Sequence, residues 1–154
     1  MTGPVLVDAN LLLLLITGSA DRRYIGMHKN LSGYEESDFD LLGQVISLFS
    51  DLVLLPHVLA EVSSLASQIR NPARRRIQEK LKELVETAAE IAIPNLDGVR
   101  RDEFHEFGLT DGVMLQLCSV ARNGVSFSLL TADNRLAVHA EMLGYSVLNF
   151  LHLR

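Results

Sequence analysis

The stretch PVLVDANLLLLLITG, residues 4–18, decides how the rest of the chain is read. Val5, Leu6 and Val7 form a short apolar run of the kind found in parallel strands buried on both faces. Asp8 closes that run, Asn10 follows it, and residues 11–16 continue without a polar break. The pattern predicts a strand, a turn and a helix. A carboxylate between two apolar runs is costly to bury unless it is paired, hydrogen-bonded or bound to a metal. In open α/β sheets, ligand chemistry collects at the carboxyl ends of the strands, which is where Asp8 falls. Asp is also a common helix N-cap. From this residue alone, a capping role and a site role stand on equal footing.

The 154 residues fit one domain, residues 1–154, and 48% of them are hydrophobic, enough for a sizeable core. No apolar run reaches the roughly 18 residues a membrane helix needs, and the N-terminus lacks the basic start and small-residue cleavage site of a signal peptide. Cys118 is the only cysteine, which excludes an internal disulfide; it lies in the series Val113, Met114, Leu117, Val120 and Ala121 and reads as a core thiol. A cytoplasmic location is the expectation. The net charge of −5 gives no global basic signature for nucleic acid, but it does not exclude an enzyme whose acidic site is neutralised by metal.

The remaining elements follow from periodicity and punctuation. Residues 19–37 read as a loop, with a short turn at most, projecting from the sheet edge. Ser37 and Asp40 resemble a capping box opening a helix over residues 38–50. Residues 52–55 read as a second strand, closed by Pro56, and residues 57–69 as a helix. Asn71 and Pro72 supply an N-cap and a first-turn proline for a charged helix running to about Ile91, and residues 91–93 as a short extended piece. Residues 96–109 read as a short helix and loop. Thr110 caps an apolar helix over residues 111–122, which Asn123-Gly124 stops. A strand over residues 126–131, a helix over 134–143 with Gly144 as C-cap, and a last strand over 145–150 complete the chain. The alternation predicts a three-layer α/β/α domain with a mainly parallel central sheet.

Four acids stand out by position. Asp8 and Asp133 follow the two most buried-looking strands, Asp111 opens an apolar helix, and Glu61 comes early in the helix after the second strand. Packed as the pattern predicts, all four meet at the carboxyl edge of the sheet. Carboxylates sharing a site repel unless cations sit between them. Hard ions such as Mg²⁺ or Mn²⁺ take such oxygen ligands and can activate water for phosphodiester hydrolysis. Each acid also has a plainer role open to it: Asp111 as a charge at a helix N-terminus, Glu61 as a solvated side chain, Asp133-Asn134 as a turn and cap. Arg74, Arg75 and Arg76 can grip RNA phosphates or form a solvated face. His57 can approach Glu61 or cap its own helix. Gly108 and Gly112 do not make a phosphate-binding loop.

VLVDAN near the start, LAEV in mid-chain, GLTDGVMLQLC and LLTADNRLAVHAEMLGYSVLNF together resemble a PIN domain over nearly the whole chain. The resemblance implies a metal-dependent ribonuclease, a hydrolase with Asp8, Glu61, Asp111 and Asp133 as ligands of Mg²⁺ or Mn²⁺. It implies Thr131 as a hydroxyl near the metal or phosphate, and Asn10 as a helper beside Asp8. Many bacterial members are toxins of VapBC-type toxin–antitoxin pairs, so the implied partners are an RNA substrate, an antitoxin protein and a second copy of the chain in a homodimer. This chain has Leu136 where some branches carry a further acid, and residues 19–37 and the long charged helix make it larger than the most compact toxins. The rival readings are a non-catalytic PIN-like scaffold and a receiver-like domain. A receiver needs a late lysine, and the last lysine here is Lys82.

Overall fold

The computed structural model describes residues 3–120 and 124–154. Strand β1 (Val5–Val7) leads directly into helix α1 (Ala9–Ala20). After two 3-10 turns (Arg22–Met27 and Lys29–Leu31) comes α2 (Glu36–Ile46), then β2 (Leu52–Leu54), α3 (Pro56–Ala66), α4 (Ala73–Thr87) and β3 (Ala89–Glu90). The second half runs through α5 (Asn95–Val99), α6 (Phe104–Ser119, interrupted at Gly108), β4 (Ser128–Thr131), α7 (Asn134–Met142) and β5 (Val147–Asn149), and closes with a 3-10 turn at Phe150–His152.

The five strands form one parallel sheet in the order β3-β2-β1-β4-β5. From β1 the chain steps outward to β2 and β3, then crosses back to β4 and steps outward the other way. Parallel crossovers are right-handed, so the two directions of travel put their helices on opposite faces. The contacts agree: α1 packs on α2, α3 and α4, while α6 packs on α5, α7 and β4. The result is the α/β/α arrangement expected from the alternation of elements. The direction of travel reverses between β1 and β4, and a crevice opens at the carboxyl ends of the strands at such a point.

One core runs through the molecule. Val5, Leu6 and Val7 are at most 1% exposed, and β4 is buried along its whole length. Leu11, Leu12, Leu13 and Leu14 are all buried as well. A helix apolar on nearly every side has to be covered on nearly every side, and α1 is: α2, α3, α4 and the two 3-10 turns pack on it, leaving only Asn10 and Ser19 exposed. That explains the unbroken leucine run without a membrane, and among the described residues no helix is long and apolar enough to cross one. Cys118 is buried as expected, and burial pushes its thiol pKa up to about 12.

Several expectations need correction. Residues 19–37 do not project. Tyr24, Ile25, His28 and Leu31 are buried, and the segment packs on α1. It is tied down by Arg22 to Asp40 and Glu36, and by Arg76 Nη1 donating to Tyr24 Oη at 2.8 Å. The capping box of α2 is Glu35 with Asp38, two residues before the pair read from sequence, and the helix ends at Ile46. Helix α3 starts at Pro56 and stops at Ala66. Pro72 itself occupies the N-cap position of α4, Asn71 Oδ1 accepts from Arg75 N, and α4 ends at Thr87. The edge strand β3 pairs at Ala89 and Glu90 rather than at 91–93. Strands β4 and β5 are shorter than read. The helix end expected at Arg122 and the stop at Asn123 lie outside the described residues.

Thr110 does not cap. Gly108 adopts φ 88°, a left-handed conformation open to glycine at little cost, so the break comes there and Thr110 lies inside the helix. Two residues later α6 crosses α5 closely: a Cβ on Gly112 would stand 2.8 Å from the carbonyl oxygen of Gly98. The crossing seats the first turn after the break, which carries Asp111. Replacing Gly112 with Ala is expected to cost about 1–3 kcal/mol through overpacking against backbone, read as a lower urea midpoint at unchanged slope; an unchanged midpoint would show that the helices separate freely.

Candidate active site

Asp8, Glu61, Asp111 and Asp133 line one pocket of about 410 Å³ at the carboxyl edge of the sheet, together with Asn10 and Tyr34. It lies at the switch point between β1 and β4. The four acids come from four separate stretches: the β1–α1 junction, α3, the restarted part of α6 and the β4–α7 junction.

Asp8 is both cap and pocket wall. Its Oδ1 accepts from Ala9 N at 2.8 Å, and its Oδ2 accepts from the Thr131 hydroxyl at 2.7 Å. Thr131 is fully buried, and its Oγ1 also accepts from Asp133 N at 3.0 Å. One hydroxyl thus joins the two junctions across the central strand pair. Asp133 caps α7 by accepting from Leu136 N at 3.2 Å. The capping reading holds for both Asp8 and Asp133, and capping does not use up either carboxylate, which keeps lone pairs toward the pocket. Leu136 is buried in the core. Glu61 is exposed on α3, and Asn10 is exposed at the pocket mouth.

The electrostatics show the crowding. Burial raises the pKa of Asp8, with the Asp133 charge adding to it, while the bonds from Thr131 and Ala9 oppose. Burial and the charge of Asp8 raise Glu61. Asp111 is pushed up to about 7, first by burial and then by Asp8, Asp133 and Glu61 together. Among the described residues, no three His, Cys, Asp or Glu side chains are gathered as a ready-made cage around one ion. The raised pKa values come first from burial and only then from the neighbouring acids. The donor set itself, carboxylates with no sulfur or imidazole, fits a hard divalent cation.

Other candidates fall away from the pocket. His57 pairs through Nε2 with Asn95 at the start of α5 rather than approaching Glu61. Arg74, Arg75 and Arg76 begin α4 and do not line the pocket; Arg75 and Arg76 are exposed. Sequence reasoning missed Tyr34. It reads as a stray aromatic in an irregular segment, and nothing local signals that it faces Asp8. Burial raises its phenol pKa, the Asp8 and Asp38 charges add to this, and Arg154 opposes.

The chain matches no model of a known protein family and no curated protein. The case for its function therefore rests on the pocket.

Asp111 gives the pocket a stability signature. In the cation-free fold it ionises near pH 7, against 3.8 for an ordinary Asp. Between those values the unfolded chain binds fewer protons than the folded one, so this group makes stability fall as pH rises, with the full loss present above about 7. Asp111→Asn keeps the shape and removes the charge. In EDTA at pH 8 the variant is expected to be more stable than wild type by on the order of 1–2 kcal/mol, after allowance for solvent screening and for a lost helix N-terminal charge. The gap should shrink toward zero by about pH 4.5. Thermal melts at both pH values check this; a variant less stable than wild type at pH 8 would make Asp111 a helix-stabilising charge instead.

Proposed function

We propose that the chain is a Mg²⁺- or Mn²⁺-dependent endoribonuclease of the PIN type, with Asp8, Glu61, Asp111 and Asp133 holding the cation. The observation that carries this reading is the convergence of four carboxylates, from four stretches of chain, on one pocket at the sheet's switch point. A bound divalent ion would supply an activated water and neutralise charge at the phosphorus. The roles of the side chains follow from their surroundings. Asp8 is oriented by Ala9 and Thr131 so that each oxygen keeps a lone pair for a ligand. Asp133 is held by its cap to Leu136. Burial first, and then the charges of Asp8, Asp133 and Glu61, push Asp111 up to about 7; a cation held by its carboxylate favours the ionised form, so cation binding should release protons. Thr131 locks Asp8 and the Asp133 turn in one register. A purely structural use of the fold gives no reason for Asp111 to stand among three other acids at a cost in stability.

The test is cleavage of single-stranded RNA with Mn²⁺ and with EDTA. Wild type is expected to cleave only with Mn²⁺, and Asp8→Asn and Asp111→Asn to lose about a hundredfold or more in rate while melting cooperatively. Millimolar Mg²⁺ should raise the wild-type melting temperature by mass action, because the unfolded chain has no assembled site, and should raise that of Asp111→Asn much less. Wild-type cleavage rates in either variant would remove these residues from the reaction.

A further inference from the structure

The pocket poses a chemical problem. Ionised carboxylates and a phosphodiester are both acceptors only, and no lysine, arginine or histidine is among the described residues that line it. The side-chain donors left on its wall are the Asn10 amide and the Tyr34 hydroxyl. Tyr34 comes from residues 19–37, the segment whose packing departs most from the sequence reading.

Its ring is held from several sides. The Arg154 guanidinium lies 5.6 Å from the ring centroid, and the Phe150 ring lies 6.5 Å away, tilted. Arg154 is itself fixed: Nε donates to Asp38 Oδ1 at 2.9 Å, and Nη2 donates to Asp38 Oδ2 at 3.0 Å and to the Gly33 carbonyl at 2.9 Å. Asp38 is 5% exposed and also accepts from Glu35 N at 2.8 Å. The Tyr34 amide donates to Leu31 O at 2.9 Å. An ion pair anchored on the buried Asp38, the last 3-10 turn and the α2 cap therefore converge on a single ring. The Tyr34 hydroxyl bonds to no group among the described residues, while the Asp8 charge acts on it across the pocket.

We propose that Tyr34 is a substrate-positioning residue whose hydroxyl donates to a non-bridging phosphate oxygen of the bound RNA, with Arg154 and Phe150 holding the ring in place for that contact. This rests on the ribonuclease reading and adds a phosphate-binding element that the acids cannot provide. Arg154 acts through the ring, as a cation stacked on its face and anchored by a bidentate carboxylate.

The experiment compares wild type, Tyr34→Phe, Arg154→Ala and the double variant under Mn²⁺, at a temperature where melting curves show all four folded. Tyr34→Phe keeps the ring and its packing and removes one donor to a charged acceptor; about a tenfold loss in kcat/KM is expected, carried mainly by KM, with the melting temperature nearly unchanged. Arg154→Ala keeps the hydroxyl but frees the ring and should also lower kcat/KM. The double variant should be no worse than the poorer single, because both changes remove the same contact. A second readout is binding of a fluorescein-labelled single-stranded RNA by anisotropy in Mg²⁺ on the Asp111→Asn background, where adding Tyr34→Phe should weaken affinity about tenfold. Wild-type kcat/KM in Tyr34→Phe, unchanged RNA affinity, or losses that multiply in the double variant would overturn the role of Tyr34 while leaving the ribonuclease reading intact. Absence of EDTA-sensitive cleavage by wild type would overturn both.

Discussion

The Thr131 hydroxyl donates to Asp8 and accepts from the Asp133 amide, and the carboxyl edge of the sheet is organised around that pair of bonds. They join the ends of β1 and β4, the two central strands, at the place where the chain reverses its direction of travel. The hydroxyl is fully buried, so both its donor and its acceptor functions need partners. Thr131 meets that need with the two junctions that also cap α1 and α7. Register, helix direction and pocket wall are therefore set by the same few atoms.

Around this point the molecule sets two demands against each other. The core is apolar and continuous, with β1, β4 and most of α1 buried in it. The pocket gathers negative charge that burial makes harder to sustain, as the raised pKa values of Asp8, Glu61 and Asp111 record. Such tension is common where function is placed on a fold that stability alone would have arranged otherwise. The rigid sheet edge allows it, because strand ends fixed by a ladder on both sides cannot swing apart to relieve the repulsion.

Much of this was legible in the sequence, for identifiable reasons. A buried parallel strand ending in an acid is a local signal, and β1–Asp8 and β4–Asp133 both carry it. Asp111 was legible as an acid opening an apolar helix, although the boundary is set by Gly108 rather than by Thr110. The α2 start was misread because Ser is a better cap than Glu in isolation, whereas here the buried Asp38, held by Arg154, fixes the register. The edge strand β3 was displaced because an edge needs no apolar run to pair. Tyr34 could not be found at all: its position depends on Arg154 and Phe150, more than a hundred residues away, and no pattern within residues 19–37 encodes that contact.

The pairing of β1 with β4 also bears on the order in which the chain can fold. β1 and α1 are made well before β4, yet one edge of β1 stays open until Leu129 and Leu130 have been synthesised to meet Leu6 and Val7. During that interval the most apolar segment of the protein is without its central partner, a state that invites edge-to-edge association and favours slow, late closure of non-local contacts. The crevice between β1 and β4 forms only after the β3-β2-β1 half of the sheet can be in place, and β5 is added to the outer edge of β4 last. A nascent chain can hold the helices of one face in place well before it has an acidic pocket.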